Sequence, residues 1–150
     1  MHVIEANGAK IPAIGLGTWE LRGRTCARIV EQALKLGYRH IDTAQVYENE
    51  REVGEGLRAS GVKRAEIFLT TKIWTNHFAP HDLERSAKES LVRLRQPHVD
   101  LLLLHWPNPQ VPLAETFGGA RARQANGACA PYRRFEFHRG ADRGGGAELP

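Results

Sequence analysis

The chain has 150 residues, a formal net charge of +4, 41% hydrophobic residues and two cysteines. That length suits one core and one domain; its Lys and Arg form no run dense enough for a nucleic-acid footprint. Cys26 and Cys129 are too few for a disulfide framework or a metal cluster, and the longest apolar run, Leu101–Leu104 with its flanks, is far too short to span a bilayer. With no apolar signal segment at the N-terminus, a soluble cytoplasmic protein without nucleic-acid or membrane partners is the expectation.

Residues 2–13 carry a hairpin signal, two short strand-like runs around Asn7-Gly8, a pair suited to a type I′ turn. Pro12 marks the second run as short or at an edge. The run I-G-L-G-T-W at 14–19 reads as a strand ending in a loop whose glycines admit a ligand close to the backbone. No G-x-G-x-x-G occurs anywhere, so the doubly wound dinucleotide fingerprint is absent. Residues 24–36 have helical spacing, with Ile29, Ala33 and Leu36 on one face beside Val30 and Leu34, and Gly37 as the stop.

A strand at 39–43, a helix at about 49–59 bounded by Gly61, and a strand at 66–73 follow. A helix at about 81–95 then turns Leu83, Ala87, Leu91 and Leu94 inward. The almost continuous apolar run at 99–104 is the mark of a parallel strand covered on both faces. A hairpin followed by β-α-β-α-β-α-β argues for an α/β fold with right-handed crossovers between parallel strands. On that polarity Asp42, Tyr47, Lys72 and His105 come from three successive units and share the C-terminal end of the strands, where strand–helix barrels carry their active sites.

The run at 37–54, G-Y-R-H-I-D-T-A-Q-V-Y-E-N-E-R-E-V-G, resembles the signature of the aldo-keto reductases. T-T-K-I-W at 70–74 and L-L-H-W-P at 103–107 match two further motifs of that family, in its order. A-Q-V-Y-E-N-E and T-T-K-I-W together most resemble the bacterial 2,5-diketo-D-gluconate reductases. The resemblance covers residues 1 to about 118 and implies the N-terminal part of a TIM (β/α)8 barrel. Residues 1–118 would hold a β-hairpin plugging the bottom and about the first four strands and three helices. A whole barrel typically needs about 250 residues, so the barrel is expected to be incomplete. The family implies NADPH-dependent reduction of small aldehydes, ketones or keto-sugars by a protein that is monomeric at full length.

Carbonyl reduction needs a hydride donor and a proton donor. Tyrosine, with an ordinary pKa of about 10, is a reluctant acid, and an ammonium beside a phenol stabilises the phenolate it leaves behind. In the roles the resemblance implies, Tyr47 donates the proton, Lys72 supports it, Asp42 holds Lys72 charged and oriented, and His105 orients the substrate oxygen. Thr18, Trp19 and Asp42 would contact NADPH, while Trp19, Tyr47, Trp74, His105 and Trp106 would line the substrate pocket. Each has a plainer role when taken alone: Lys72 a surface lysine, Asp42 a cap, His105 a strand-end histidine, the tryptophans core packing. Asn49 and Glu50 are expected to be structural. His2, His40, His77, His81, His98 and His138 form no ligand cluster, so no metal site is expected.

Composition changes near residue 118. No Val or Ile follows Val111, seven of the 15 glycines lie from Gly118 onward, and every Lys/Arg position there is arginine. Residues 119–150 are therefore expected to be an aberrant, disordered tail. Written with synonymous codons, 131–148 reads one nucleotide later as H-I-G-V-S-N-F-T-V-A-L-I-E-E-A-V, which resembles the family's fifth strand and the helix after it. In the same frame 119–130 becomes A-L-A-R-A-K-R-T-G-L-A-R. A single-base insertion or deletion near Gly118 accounts for both. The later strands and the basic loop that grips the 2′-phosphate in the family have no counterpart, so the chain is expected to be inactive or nearly so. The alternative is a non-catalytic truncated product, a partial barrel that self-associates through exposed strand edges.

Overall fold

The computed structural model describes residues 2–6, 8–106 and 108, and the backbone of 135–137. β1 (Val3–Ala6) and β2 (Ala9–Pro12) form the antiparallel hairpin, with Val3 opposite Pro12 and Gly8 in the left-handed region at φ 74°. β3 (Leu16–Gly17), β4 (His40–Asp42), β5 (Phe68–Ile73), β6 (Leu101–Leu104) and β7 (Phe135–Phe137) then form one parallel sheet in sequence order. Three helices, α1 (Gly23–Lys35), α2 (Glu50–Ala59) and α3 (Pro80–Leu94), fill the crossovers between β3 and β6. Parallel strands in chain order, with a helix at each crossover from β3 to β6, are the wall of a (β/α) barrel.

The hairpin, four parallel strands and three helices are those expected from sequence. β7, inside the stretch expected to be disordered, adds a fifth strand beside β6, with Leu102 opposite Phe135. The rest of 119–150 lies outside the described residues. All four of the expected parallel strands start one or two residues late, β3 at Leu16 rather than 14 and β4 at His40 rather than 39. Arg64–Glu66 is a 3-10 turn, so β5 begins at Phe68 rather than at 66, and β6 begins at Leu101 rather than at 99.

α1 stops where glycine allows it. Gly37 takes φ 102°, its N–H donates to the Leu34 carbonyl at 3.1 Å, and the Tyr38 N–H reaches back to the Ala33 carbonyl at 3.0 Å. This is a Schellman motif. Cys26, Val30, Ala33 and Leu34 form the buried stripe of α1, whereas Leu36 is 82% exposed. At 3.6 residues per turn Leu36 lies roughly 100° round the helix from the middle of that stripe, so its expected inward position is corrected.

Strand alternation separates two environments. Ile41, Leu69, Ile73, Leu102 and Leu104 turn to the helices and are all fully buried with Val30, Leu34, Val53 and Leu94. Residues of the opposite parity, His40, Asp42, Thr70, Lys72, Leu101 and Leu103, turn to the barrel axis. α2 packs closely against both neighbours. A Cβ on Gly56 would lie 2.5 Å from the Ala27 carbonyl of α1, and one on Gly54 would overlap the Leu94 carbonyl at the end of α3. Glycine at both positions is what lets three helices converge over β4 and β5.

At the N-terminal end of β4, His40 ties the hairpin to the wall. Its Nδ1 lies 3.3 Å from the Pro12 carbonyl and its Nε2 lies 3.0 Å from Thr70 Oγ1. The edge-on ring of Phe68 stands 5.1 Å away. A neutral imidazole meets both partners by donating from Nδ1 to Pro12 and accepting at Nε2 from Thr70. Burial holds the His40 pKa below 6.5, outweighing the Pro12 hydrogen bond and the Asp42 carboxylate, which pull it up. An unfolded histidine titrates near about 6.5, so below that pH the unfolded chain takes up the proton more readily and stability falls. The urea midpoint is expected to drop between about pH 7 and about pH 5, and His40→Gln is expected to flatten that dependence.

Candidate active site

The C-terminal ends of β3, β4, β5 and β6 carry the site. β4 ends at Asp42, whose carbonyl accepts from the Thr18 N–H at 3.0 Å and from Thr18 Oγ1 at 3.1 Å. The chain then passes the buried Thr43 and Ala44 into a 3-10 turn, Gln45–Tyr47, and Glu48 reverses it at φ 56°. Asn49, 1% exposed, stitches the loops together. Its Nδ2 donates to the Thr18 carbonyl at 2.7 Å and the Leu21 carbonyl at 3.0 Å, and its Oδ1 accepts from Thr43 Oγ1 at 2.9 Å. The Arg22 guanidinium also donates to the Tyr47 carbonyl. A buried amide with all its groups paired fixes the loop after β3 against the loop after β4.

Lys72 is the centre of the arrangement. It lies on the axial face of β5 and is 9% exposed. Its Nζ donates to Asp42 Oδ1 at 2.5 Å, to the Thr43 carbonyl at 3.0 Å and to Tyr47 Oη at 3.3 Å. An ammonium has three protons and no lone pair, so these three oxygens take all of them. At the third contact Tyr47 Oη is necessarily the acceptor, which leaves the phenolic proton free to point away from Lys72. The charge of Lys72 is balanced by the Asp42 carboxylate, and the pair is only partly open to solvent.

His105 follows β6 and is held by its N–H on the Ile73 carbonyl at 3.0 Å. Its ring stands edge-on to Tyr47, with centroids 5.6 Å apart, and edge-on to Trp74 at 5.4 Å. Trp106 stacks on it at 6.1 Å, and Trp19 meets Tyr47 edge-on at 4.9 Å. All four expected catalytic side chains and all three tryptophans therefore gather at one end of the sheet. Trp19 is 56% and Trp106 53% exposed, so neither is core. Thr18, fully buried, is a structural partner of Asp42 as well as a residue of the mouth.

Among the described residues no cluster of three or more His, Cys, Asp or Glu is placed to hold a metal, and no helix is long and apolar enough to cross a membrane. Cys26 stands apart from the site in the α1 core. Burial, and after it the Glu52 carboxylate, pushes its thiol up to about 11, so it stays protonated and inert. Sequence reasoning passed over Gln45, Ser86, Ser90 and Arg93. Only Gln45 lies within a recognisable motif, as the second residue of A-Q-V-Y.

Residues 13–131 match the aldo/keto reductase family. The chain belongs to that family. It is 50% identical over 99 residues to the methylglyoxal reductase DkgB of Salmonella typhi, covering 66% of this chain and 37% of the relative. Among solved structures it is similar to a crystal structure described as that of a 2,5-diketo-D-gluconic acid reductase B. The TM-score is 0.83 and the identity 48%, covering 91% of this chain and 48% of the other. A Bombyx mori aldo-keto reductase solved in complex with NADP gives a TM-score of 0.79 at 34% identity, over 91% of this chain and 50% of that one. The chain thus spans well under two thirds of the length of the relatives it matches.

Proposed function

We propose that the site reduces small aldehydes, ketones or keto-sugars with NADPH, on substrates of the 2,5-diketo-gluconate or methylglyoxal kind, with Tyr47 as proton donor. The observation that carries this reading is Lys72 Nζ, which spends its three protons on Asp42, Thr43 and Tyr47. Family membership and a relative named for methylglyoxal reduction support it.

The residues at the mouth fit a nicotinamide. Gly17 is paired with Asp42 across β3 and β4, and a Cβ there would meet nothing within 4 Å, so the space beside Asp42 is open, with Thr18 buried behind it. Thr18, Trp19 and Asp42 would hold the nicotinamide end, and the chemistry supplied by the bound cofactor is a hydride for the carbonyl carbon. Tyr47 gives its proton to the carbonyl oxygen, and the phenolate left behind is stabilised by the Lys72 ammonium. Asp42 keeps Lys72 charged and aimed. His105 orients the carbonyl oxygen toward Tyr47. Trp19, Trp74 and Trp106 give the mouth an apolar rim.

The proposal extends to the tail: residues beyond about Gly118 are the out-of-frame reading of a gene with a single-base insertion or deletion. Codons incompatible with I-G-V-S-N-F in the shifted frame would exclude it. A second reading, a non-catalytic partial barrel that self-associates, is favoured by β3 and β7, which among the described residues each pair on one side only. NADPH binding by the purified chain, followed by fluorescence, separates the two. Saturable binding that weakens in Trp19→Ala supports the reductase site. No binding, with oligomers that grow with concentration, supports the second reading.

A further inference from the structure

The outer face of β5, opposite Lys72, carries a continuous chain of polar contacts. Thr71 Oγ1 donates to Glu50 Oε1 of α2 at 2.6 Å, and Glu50 Oε2 accepts from Arg93 Nε of α3 at 2.7 Å. Arg93 Nη2 donates to Ser90 Oγ at 3.1 Å, and the same hydroxyl accepts from Gln45 Nε2 at 2.9 Å. Gln45 also reaches Ser86 Oγ at 2.7 Å and the Ser86 carbonyl at 3.0 Å. The chain closes on β5 again, because the Trp74 N–H donates to Gln45 Oε1 at 2.9 Å.

The two ends of this strap, Thr71 and Trp74, bracket Lys72 along the strand. Adjacent strand residues point to opposite faces, so the strap grips the backbone from the helix side while Lys72 reaches into the mouth. The Glu50 side chain is 1% exposed. A carboxylate so deeply buried is kept only where its oxygens are paired, here by a guanidinium and a hydroxyl. Gln45 is two residues from Tyr47, so one side chain fixes both the turn carrying the phenol and the strand end beyond the ammonium.

We propose that Gln45 and Glu50 are positioning residues: with Ser90 and Arg93 they form a strap that sets the height of Lys72 against Asp42 and Tyr47. The inference rests on the reading of Lys72 as the partner of Tyr47. The Lys72–Tyr47 contact is the longest of the three that Nζ makes, so it is the first to be lost when β5 shifts.

The test is competitive acylation of lysines in the 150-residue chain, read residue by residue by mass spectrometry, with urea unfolding of each variant alongside. Lys72 is expected to label about tenfold or more slowly than the exposed Lys88, because it must first leave its carboxylate partner. Gln45→Leu and Glu50→Gln are each expected to raise the Lys72 rate about threefold or more, since partial loss of a buried network loosens what it holds. Lys35 and Lys88 should not change. Gln45→Glu keeps an acceptor for the Trp74 N–H but has no proton for the Ser86 carbonyl, so it too should raise the Lys72 rate. Glu50→Gln and Gln45→Glu keep their shape and serve if Gln45→Leu does not fold. An unchanged Lys72 rate in folded Gln45→Leu and Glu50→Gln would overturn the assignment. So would a rise of Lys72 in step with Lys35 and Lys88, which marks general loosening. Labelling reads the position of Lys72 whether or not the chain binds NADPH, so failure of that binding counts against the functional reading and not against this one.

Discussion

In the longer protein that the frame restoration proposed near Gly118 would give, Tyr47→Phe is expected to lower kcat by about 10²- to 10⁴-fold, the usual worth of a positioned general acid. Affinity for NADPH should hardly move. The substitution removes one oxygen and its proton while leaving the ring that meets Trp19 and His105 edge-on. Lys72 loses only its longest contact and keeps Asp42 and the Thr43 carbonyl, so the charge balance of the mouth survives. A loss seen in kcat and in kcat/KM alike is the pattern of an interaction made only in the transition state. Turnover comparable to the parent would remove Tyr47 from the proton-donor role.

The 150-residue polypeptide itself is expected to show little or no turnover. A barrel excludes solvent from its axis only when its wall closes on itself. Among the described residues the sheet has five strands, with β3 and β7 as its edges. The matched segment spans 37% of the DkgB relative. Of the two axial residues of β6, Leu101 is buried but Leu103 is only partly so, and apolar surface left in water costs roughly 25 cal/mol for each Å². Hydride transfer depends on holding the reacting atoms within a fraction of an ångström, and much of a dinucleotide would be without contacts. The check is NADPH oxidation with methylglyoxal by homogeneous protein free of host reductases. Turnover near that of a full-length relative, abolished by Tyr47→Phe, would contradict this expectation.

Much of the architecture was legible because it rests on short-range signals. The apolar run ending at Leu104 reads as a strand covered on both faces, and Gly37 reads as a helix stop. The order of elements then fixes which end of the sheet bears Asp42, Lys72 and His105. Element edges were less legible. Ile67 is 3% exposed and looks like strand from sequence, yet the 3-10 turn at Arg64–Glu66 delays β5 to Phe68. Periodicity alone also put Leu36 inward, since it carries no record of where the helix meets its neighbours. The strap behind Lys72 was illegible for another reason: Gln45 comes from the 3-10 turn, Glu50 from α2, and Ser90 with Arg93 from α3, and no spacing links the three segments. Only folding brings them together. Asn49 and Glu50, expected to be structural, do have buried structural partners.

The most direct measurement of the central claim, that Lys72 and Tyr47 work as one unit, is a double-mutant cycle in the frame-restored protein. Methylglyoxal-dependent NADPH oxidation would be measured for Tyr47→Phe, Lys72→Met and the pair. Residues that act together lose their effect once, so the double variant should be no slower than the slower single one by more than about threefold. Single losses that multiply in the double variant would show that the two side chains contribute independently, contradicting the account.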